Sequence, residues 1–165
     1  MIVLVGGIAG SGKTTVGQLL ARRLGWQFAD GDKFHTPAAV AKMHAGVPLT
    51  DDDRWPWLDA IGAWVDQQAA AHRSAVVACS ALKRAYRQRL LAGRPEARMV
   101  FLVISHAADD ARLRTRHGHF FPEKLLDSQF AALELPDPSE GVALISATGT
   151  PDQAVDQIMR DLALD

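Results

Sequence analysis

The sequence predicts an α/β domain, a parallel sheet with helices on both faces, and three observations carry that prediction. Short apolar runs alternate with longer amphipathic segments along the chain. The apolar runs are mostly continuous, as strands covered on both faces require. The segments between them repeat their apolar residues at helical spacing. With 165 residues, 48% of them hydrophobic and 22% charged, the chain suits a single globular domain, residues 1–165, with a substantial core.

In chain order, the candidate strands are Ile2–Val5, Gln27–Ala29, Ala75–Cys79, Met99–Ile104 and Val142–Ser146. The first helix gathers Val16, Leu19, Leu20 and Leu24 on one face, and another gathers Trp57, Leu58, Ile61, Trp64 and Val65. A third helix starts near Leu82, and a fourth covers about Ala107–Arg116. Pro122 and Pro151 stand where first-turn prolines are tolerated, and Thr150 is the expected cap of the last helix. Such alternation implies right-handed crossovers, with ligands bound outside the carboxyl ends of the strands.

Composition narrows the function. No apolar run reaches the length of a membrane span. The start MIVLV leads directly into glycines, without the basic region or cleavage site of a signal peptide. The single cysteine, Cys79, excludes an internal disulfide and fits a reducing cytoplasm. A net charge of −1 gives no general reason to expect nucleic acid or anionic membrane as a partner. No histidine–cysteine cluster has zinc spacing.

The strongest motif is Gly7-Ile8-Ala9-Gly10-Ser11-Gly12-Lys13-Thr14, followed by Thr15, between a predicted strand and a predicted helix. This is the phosphate-binding loop in its required context. Its backbone N–H groups form an anion nest, and the helix dipole adds to it. Lys13 would bridge the β- and γ-phosphates of ATP, and the Thr14 hydroxyl would ligate Mg²⁺. The chain is therefore expected to have the P-loop NTPase fold.

Such enzymes commonly hold the metal with an aspartate at a strand end, but Ala75–Cys79 runs into Ser-Ala-Leu-Lys. The alternative is Asp30-Gly31-Asp32, after the second strand. Read as extended backbone, its two carboxylates point to one side, roughly 6.5 Å apart. One could face Mg²⁺ while the other accepts a hydrogen bond from a substrate hydroxyl.

Cations complete the set. Arg112 and Arg116 share a helix face and lead into His117-Gly118-His119-Phe120-Phe121. This suits a small lid, around residues 112–122, that closes over phosphates. Lys83 and Arg87 are also four apart and follow a strand end, which points to an anionic group on the second substrate. Arg54 follows the acidic run Asp51–Asp53, and either pairs locally or reaches the substrate. Gln129 lies on an apolar helix face and needs a partner, a substrate hydroxyl or a backbone group. His35 is open between a structural and a binding role.

On the motifs GIAGSGKTT, DGDKFH, KMHAGVPLTDDDRWPWL, CSALKRAYRQRLL, RLRTRHGHFF and LLDSQFAALE, the chain resembles the gluconate kinases, which are shikimate-kinase-like small-molecule kinases. The resemblance spans nearly the whole chain. It implies transfer of phosphate from ATP to the 6-hydroxyl of D-gluconate, a five-stranded parallel sheet with a lid, and often a homodimer. It also implies that Asp30 helps bind Mg²⁺, that Asp32 holds the acceptor hydroxyl, and that Arg116 acts over the phosphates. The candidate catalytic set is Lys13, Asp32 and Arg116. The candidate contacts for the sugar acid are Asp32, His35, Arg54, Lys83, Arg87, His119 and Gln129. Gly149-Thr150-Pro151 is the candidate adenine edge. A nucleoside monophosphate kinase shares the fold but needs a base-reading pocket. A nucleotide switch would leave the Asp-Gly-Asp turn and the lid arginines without a use, and the chain lacks the guanine-reading N-K-x-D motif.

Overall fold

The computed structural model describes residues 1–104 and 123–165. In β1 (Ile2–Gly6), Ile2 and Leu4 enter one core cluster, while Val3 and Val5 enter the cluster on the opposite face. The same division separates Ala75 and Val77 from Val76 in β3 (Ala75–Ala78), and Ala97 and Met99 from Val100 and Leu102 in β4 (Ala97–Val103). Consecutive apolar residues are what two buried faces demand. With β2 (Gln27–Asp30) and β5 (Ala143–Ser146), these strands form one parallel sheet in the order β2-β3-β1-β4-β5. All five fall where the apolar runs put them, with ends shifted by at most two residues.

The helices divide between the faces. α1 (Lys13–Leu24) contributes Val16, Leu20 and Ala21 to one cluster, alongside Ala154, Val155 and Ile158 of α6 (Pro151–Asp161). The opposite face is covered by Trp57, Leu58, Ile61 and Val65 of α3 (Asp51–Ala70), and by Tyr86 and Leu90 of α4 (Arg84–Leu91). Among the described residues, the remaining helices are α2 (Pro37–His44) and α5 (Glu123–Ala132). Among the described residues, no helix is long and apolar enough to cross a membrane.

The helix starts follow local chemistry. Thr150 accepts from the Gln153 N–H and Pro151 occupies the first turn of α6, as the sequence predicts. Thr50 and Asp53 form a second capping box, so the acidic run Asp51–Asp53 is the first turn of α3, where the helix dipole favours carboxylates. α4 begins at Arg84 rather than near Leu82, because Ala81 turns the chain with φ 44° and Lys83 becomes the N-cap.

This topology creates the crevice. The helix leaving β1 packs on one face of the sheet, and the helix leaving β3 packs on the other. Ligand crevices form where neighbouring strands send their connections opposite ways. Across that gap the Gly7 N–H donates to the Ser80 carbonyl at 3.2 Å, and the Cys79 N–H to the Val5 carbonyl at 3.0 Å. The loops after β1 and β3 are thereby held side by side.

Candidate active site

The phosphate loop ends in Gly12, which precedes α1 at φ 93°, a left-handed conformation that favours glycine. No side chain caps α1, which leaves the first N–H groups of the helix to bind an anion. The Lys13 amine donates to the Ile8 carbonyl of its own loop at 2.8 Å. Ser11 is buried, and its hydroxyl has no hydrogen-bond partner among the described residues.

Asp30 ends β2 in register with Ala78, which is itself in register with Val5. At the usual strand spacing this sets Asp30 about 10 Å from the strand that carries the phosphate loop. The turn that follows is not extended, as the sequence reading had it. Gly31–Phe34 is a 3₁₀ turn, and Asp30 caps it by accepting the Asp32 N–H at 3.0 Å. The carboxylates thus differ in role: one is tied to the turn and the other is exposed at its start.

Gly31 makes the turn possible. Its carbonyl accepts from the Trp57 indole N–H at 2.8 Å, and a Cβ on it would lie 2.2 Å from the Ala78 carbonyl oxygen. Gly31→Ala is therefore expected to displace both aspartates. Overpacking of this kind costs about 1–3 kcal/mol, which is roughly 2–12 °C of melting temperature for a domain this size. Turnover should fall about 100-fold, the effect of an ångström-scale misplacement. Thermal unfolding and steady-state kinetics check this, and wild-type values for both would show that the turn tolerates a side chain.

Mg²⁺ is commonly held by one or two carboxylates together with substrate phosphates and water. The Thr14 hydroxyl, on the first turn of α1, and the Asp30 carboxylate, with one oxygen bonded to Asp32, are hard oxygen donors of that kind. They fit such an ion.

Charge links the parts of the site. The Cys79 thiol, buried at the end of β3, is pushed up to about 12, chiefly by desolvation, while Asp32 raises it further and Lys13 opposes the rise. Burial also lowers the titration of His35, with Asp32 acting against that shift and Arg54 reinforcing it. Asp32 therefore lies within electrostatic reach of the β3 end, which also feels Lys13, and of His35, which also feels Arg54. His35 stacks on Trp57 with ring centroids 4.3 Å apart, and its buried Nδ1 has no hydrogen-bond partner among the described residues.

A cleft of about 470 Å³ opens along the start of α3 and the N-terminus of α4, lined by Asp51, Asp52, Arg54, Lys83 and Ser128 among others. The Lys83 ammonium donates to Asp51 at 3.0 Å, which holds the lysine above its usual range; the Tyr86 hydroxyl first, and then Lys83, hold Asp51 below its own. Asp53 instead closes the α3 capping box and pairs with Lys42, and its carboxyl is lowered to about 2.

Two sequence assignments change. Arg87 was expected to contact the substrate, but its side chain is 1% exposed and points into the protein. It forms a two-pronged pair with Glu140 at 2.7 and 2.9 Å, and donates to the carbonyls of Ala81, Leu82 and Glu134. Gln129, also expected at the substrate, takes the backbone alternative: its Oε1 accepts from the Ala9 N–H of the phosphate loop at 2.7 Å. Arg112, Arg116, His119, Pro122, the helix at 107–116 and the lid at 112–122 lie outside the described residues. Sequence reasoning missed Asp51 as a cleft group and Tyr86 as the buried residue that bonds to it. The only signal for Tyr86 was its position three residues after Lys83 on a helix.

A parallel α/β sheet, a phosphate loop at its switch point and an acidic turn beside it define a P-loop kinase. Comparison with known proteins narrows that class. A family model described as an AAA domain matches residues 2–136. The chain is 44% identical over 158 residues to the gluconokinase of Gluconobacter oxydans (strain 621H), covering 96% of this chain and 89% of that protein. It is similar to the crystal structure of a gluconokinase from Sinorhizobium meliloti 1021, with 40% identity, a TM-score of 0.87, and 98% and 90% of the two chains covered. An unliganded crystal structure of a sugar kinase from Janibacter sp. HTCC2649 matches at 40% identity and a TM-score of 0.92, covering 99% and 94%. The chain belongs to the gluconokinase family.

Proposed function

We propose that the protein transfers the γ-phosphoryl group of ATP to the 6-hydroxyl of D-gluconate, giving 6-phospho-D-gluconate. The observation that supports this most is that Asp32 stands in the turn after β2, two strands from the strand that leads into the phosphate loop, and acts electrostatically on Cys79 at the β3 end, which also feels Lys13, and on His35, which also feels Arg54. A carboxylate so placed suits a group that accepts a hydrogen bond from the acceptor hydroxyl and aims it at the phosphate. Lys13 and the loop N–H groups bind the phosphates, with Arg112 and Arg116 acting over them. Mg²⁺, held by Thr14 and Asp30, would neutralise charge on the phosphate oxygens. Arg54 and Lys83 hold the carboxylate end of the sugar acid, while His35 and His119 serve its hydroxyls. The single cysteine suits a reducing cytoplasm, and the resemblance to the family, whose members often form homodimers, favours a homodimer.

The test is coupled ADP release with gluconate against a panel of nucleoside monophosphates, with the product identified by ³¹P NMR. Gluconate-dependent ADP with a 6-phosphate product is the expected result; release no higher than the ATPase background would sink the proposal. Lys83→Ala should raise the KM for gluconate roughly 10- to 100-fold, the cost of a lost charge-assisted hydrogen bond. The ATP KM should stay within about twofold on the same reasoning. A rise in the ATP KM alone would reassign Lys83 to the nucleotide.

A further inference from the structure

Tyr86 stands behind the cleft wall rather than in it. Only 2% of the residue is exposed, yet three charged groups of the cleft converge on it. Its hydroxyl donates to Asp51 and accepts from the Arg54 guanidinium at 3.2 Å. The same Asp51 oxygen takes the Lys83 ammonium at 3.0 Å. Arg54 and Lys83 each lie 5.7 Å from the centre of the Tyr86 ring, and Trp55 meets that ring edge-on at 5.5 Å.

Two like charges side by side repel, and long cationic side chains lose rotamer freedom when a ligand fixes them. Here the Tyr86 ring lies close to both cations, its hydroxyl takes Arg54, and Asp51 takes Lys83. An anionic ligand meets them pre-arranged, which saves part of the ordering cost of binding.

We propose that Tyr86 is a positioning residue for the acceptor: through its hydroxyl and ring it fixes Arg54, Lys83 and Asp51 as one recognition unit for the carboxylate end of the sugar acid. The proposal rests on the reading of the cleft as the sugar-acid site. Tyr86 and Lys83 both bond to one Asp51 oxygen, and among the described residues nothing bonds to the other, which is left for a substrate hydroxyl, so the unit suits a polyhydroxy carboxylate better than a simple one.

Tyr86→Phe tests this, because it keeps the ring and its packing and removes only the hydroxyl. The expected result is a gluconate KM raised about tenfold, the loss of one hydrogen bond to a charged group, with kcat and the ATP KM within about twofold. The melting temperature should stay within a few degrees of wild type. In an Arg54→Ala background, the same substitution should change the gluconate KM by clearly less than in the wild-type background, because one of the partners through which it acts is gone. An unmoved gluconate KM, or an effect of the same size in both backgrounds, overturns the positioning role. Wild-type turnover in the same assay separates the two ideas. No gluconate-dependent turnover removes the acceptor reading and the positioning role with it. Normal turnover with an unmoved KM in Tyr86→Phe removes the positioning role alone.

Discussion

Asp32→Asn is expected to lower kcat by about 10²–10⁴-fold while leaving the KM for ATP within about twofold. Asparagine keeps the size and the hydrogen-bonding reach of the side chain. It loses the charge that, in the proposed role, draws the acceptor proton and aligns the hydroxyl, and that range corresponds to roughly 3–5 kcal/mol of transition-state stabilisation. Folding should be unaffected, because Asp32 is exposed and the bond that orders the turn runs from its backbone N–H to Asp30. The phosphate loop follows β1, two strands from the β2 strand that leads to Asp32, so nucleotide binding is expected to change little. Steady-state kinetics with each substrate varied in turn, together with a melting curve, make the measurement. Near-normal kcat would assign the acceptor hydroxyl to a different group.

The second large effect is structural. Arg87→Met should lower the melting temperature by roughly 6–20 °C. Removing one partner of a buried ion pair costs about 3–5 kcal/mol, and each kcal/mol moves a domain of this size by about 2–4 °C. Both side chains of the Arg87–Glu140 pair are almost wholly buried. Arg87 also holds the Ala81 and Leu82 carbonyls, in the turn where Ala81 adopts its left-handed conformation. That turn leads directly to Lys83, so Arg87 serves the cleft by holding its backbone.

The pH dependence has a definite sign. Arg87 is the main cause of the lowered titration of Glu140. A carboxyl lowered on folding contributes stability that is present above its unfolded value and is lost as pH falls through its folded value. The deficit of Arg87→Met should therefore be largest near neutral pH. It should narrow below the ordinary glutamate range, where the stranded Glu140 can take up a proton. Combining it with Glu140→Leu should recover much of the loss at neutral pH, since two apolar groups of similar shape leave no buried charge. A variant with wild-type melting and a raised gluconate KM would return Arg87 to the substrate.

Arg87 and Lys83 show how far the sequence could be read. Both are cations after the same strand, four residues apart, and nothing local distinguishes them. Their fates differ because Glu140, 53 residues further on, folds back beside Arg87, whereas Asp51 meets Lys83 at the cleft. Gln129 is similar: the sequence showed that a polar group on an apolar face needs a partner, but that partner, Ala9, is 120 residues away. The 3₁₀ turn at Gly31 escaped for another reason. Asp-Gly-Asp allows an extended chain or a turn, and the choice came from the Trp57 indole and the close approach of Ala78.

By itself, then, the sequence determined what depends on neighbours along the chain. Continuous apolar runs specified the five strands, helical spacing specified the faces of α1 and α3, and Thr150 with Pro151 specified the start of α6. The glycines around Lys13 specified an anion-binding loop, because few other residues allow that backbone. The tertiary structure decided which charged groups line the cleft and which are paired inside the protein. It wound Asp32 into a 3₁₀ turn after β2, buried Arg87 against Glu140, and gathered Arg54, Lys83 and Asp51 around Tyr86. The physical reason is that a charge or hydrogen bond acts through space. Its worth depends on burial and on partners that only the folded chain brings within a few ångströms.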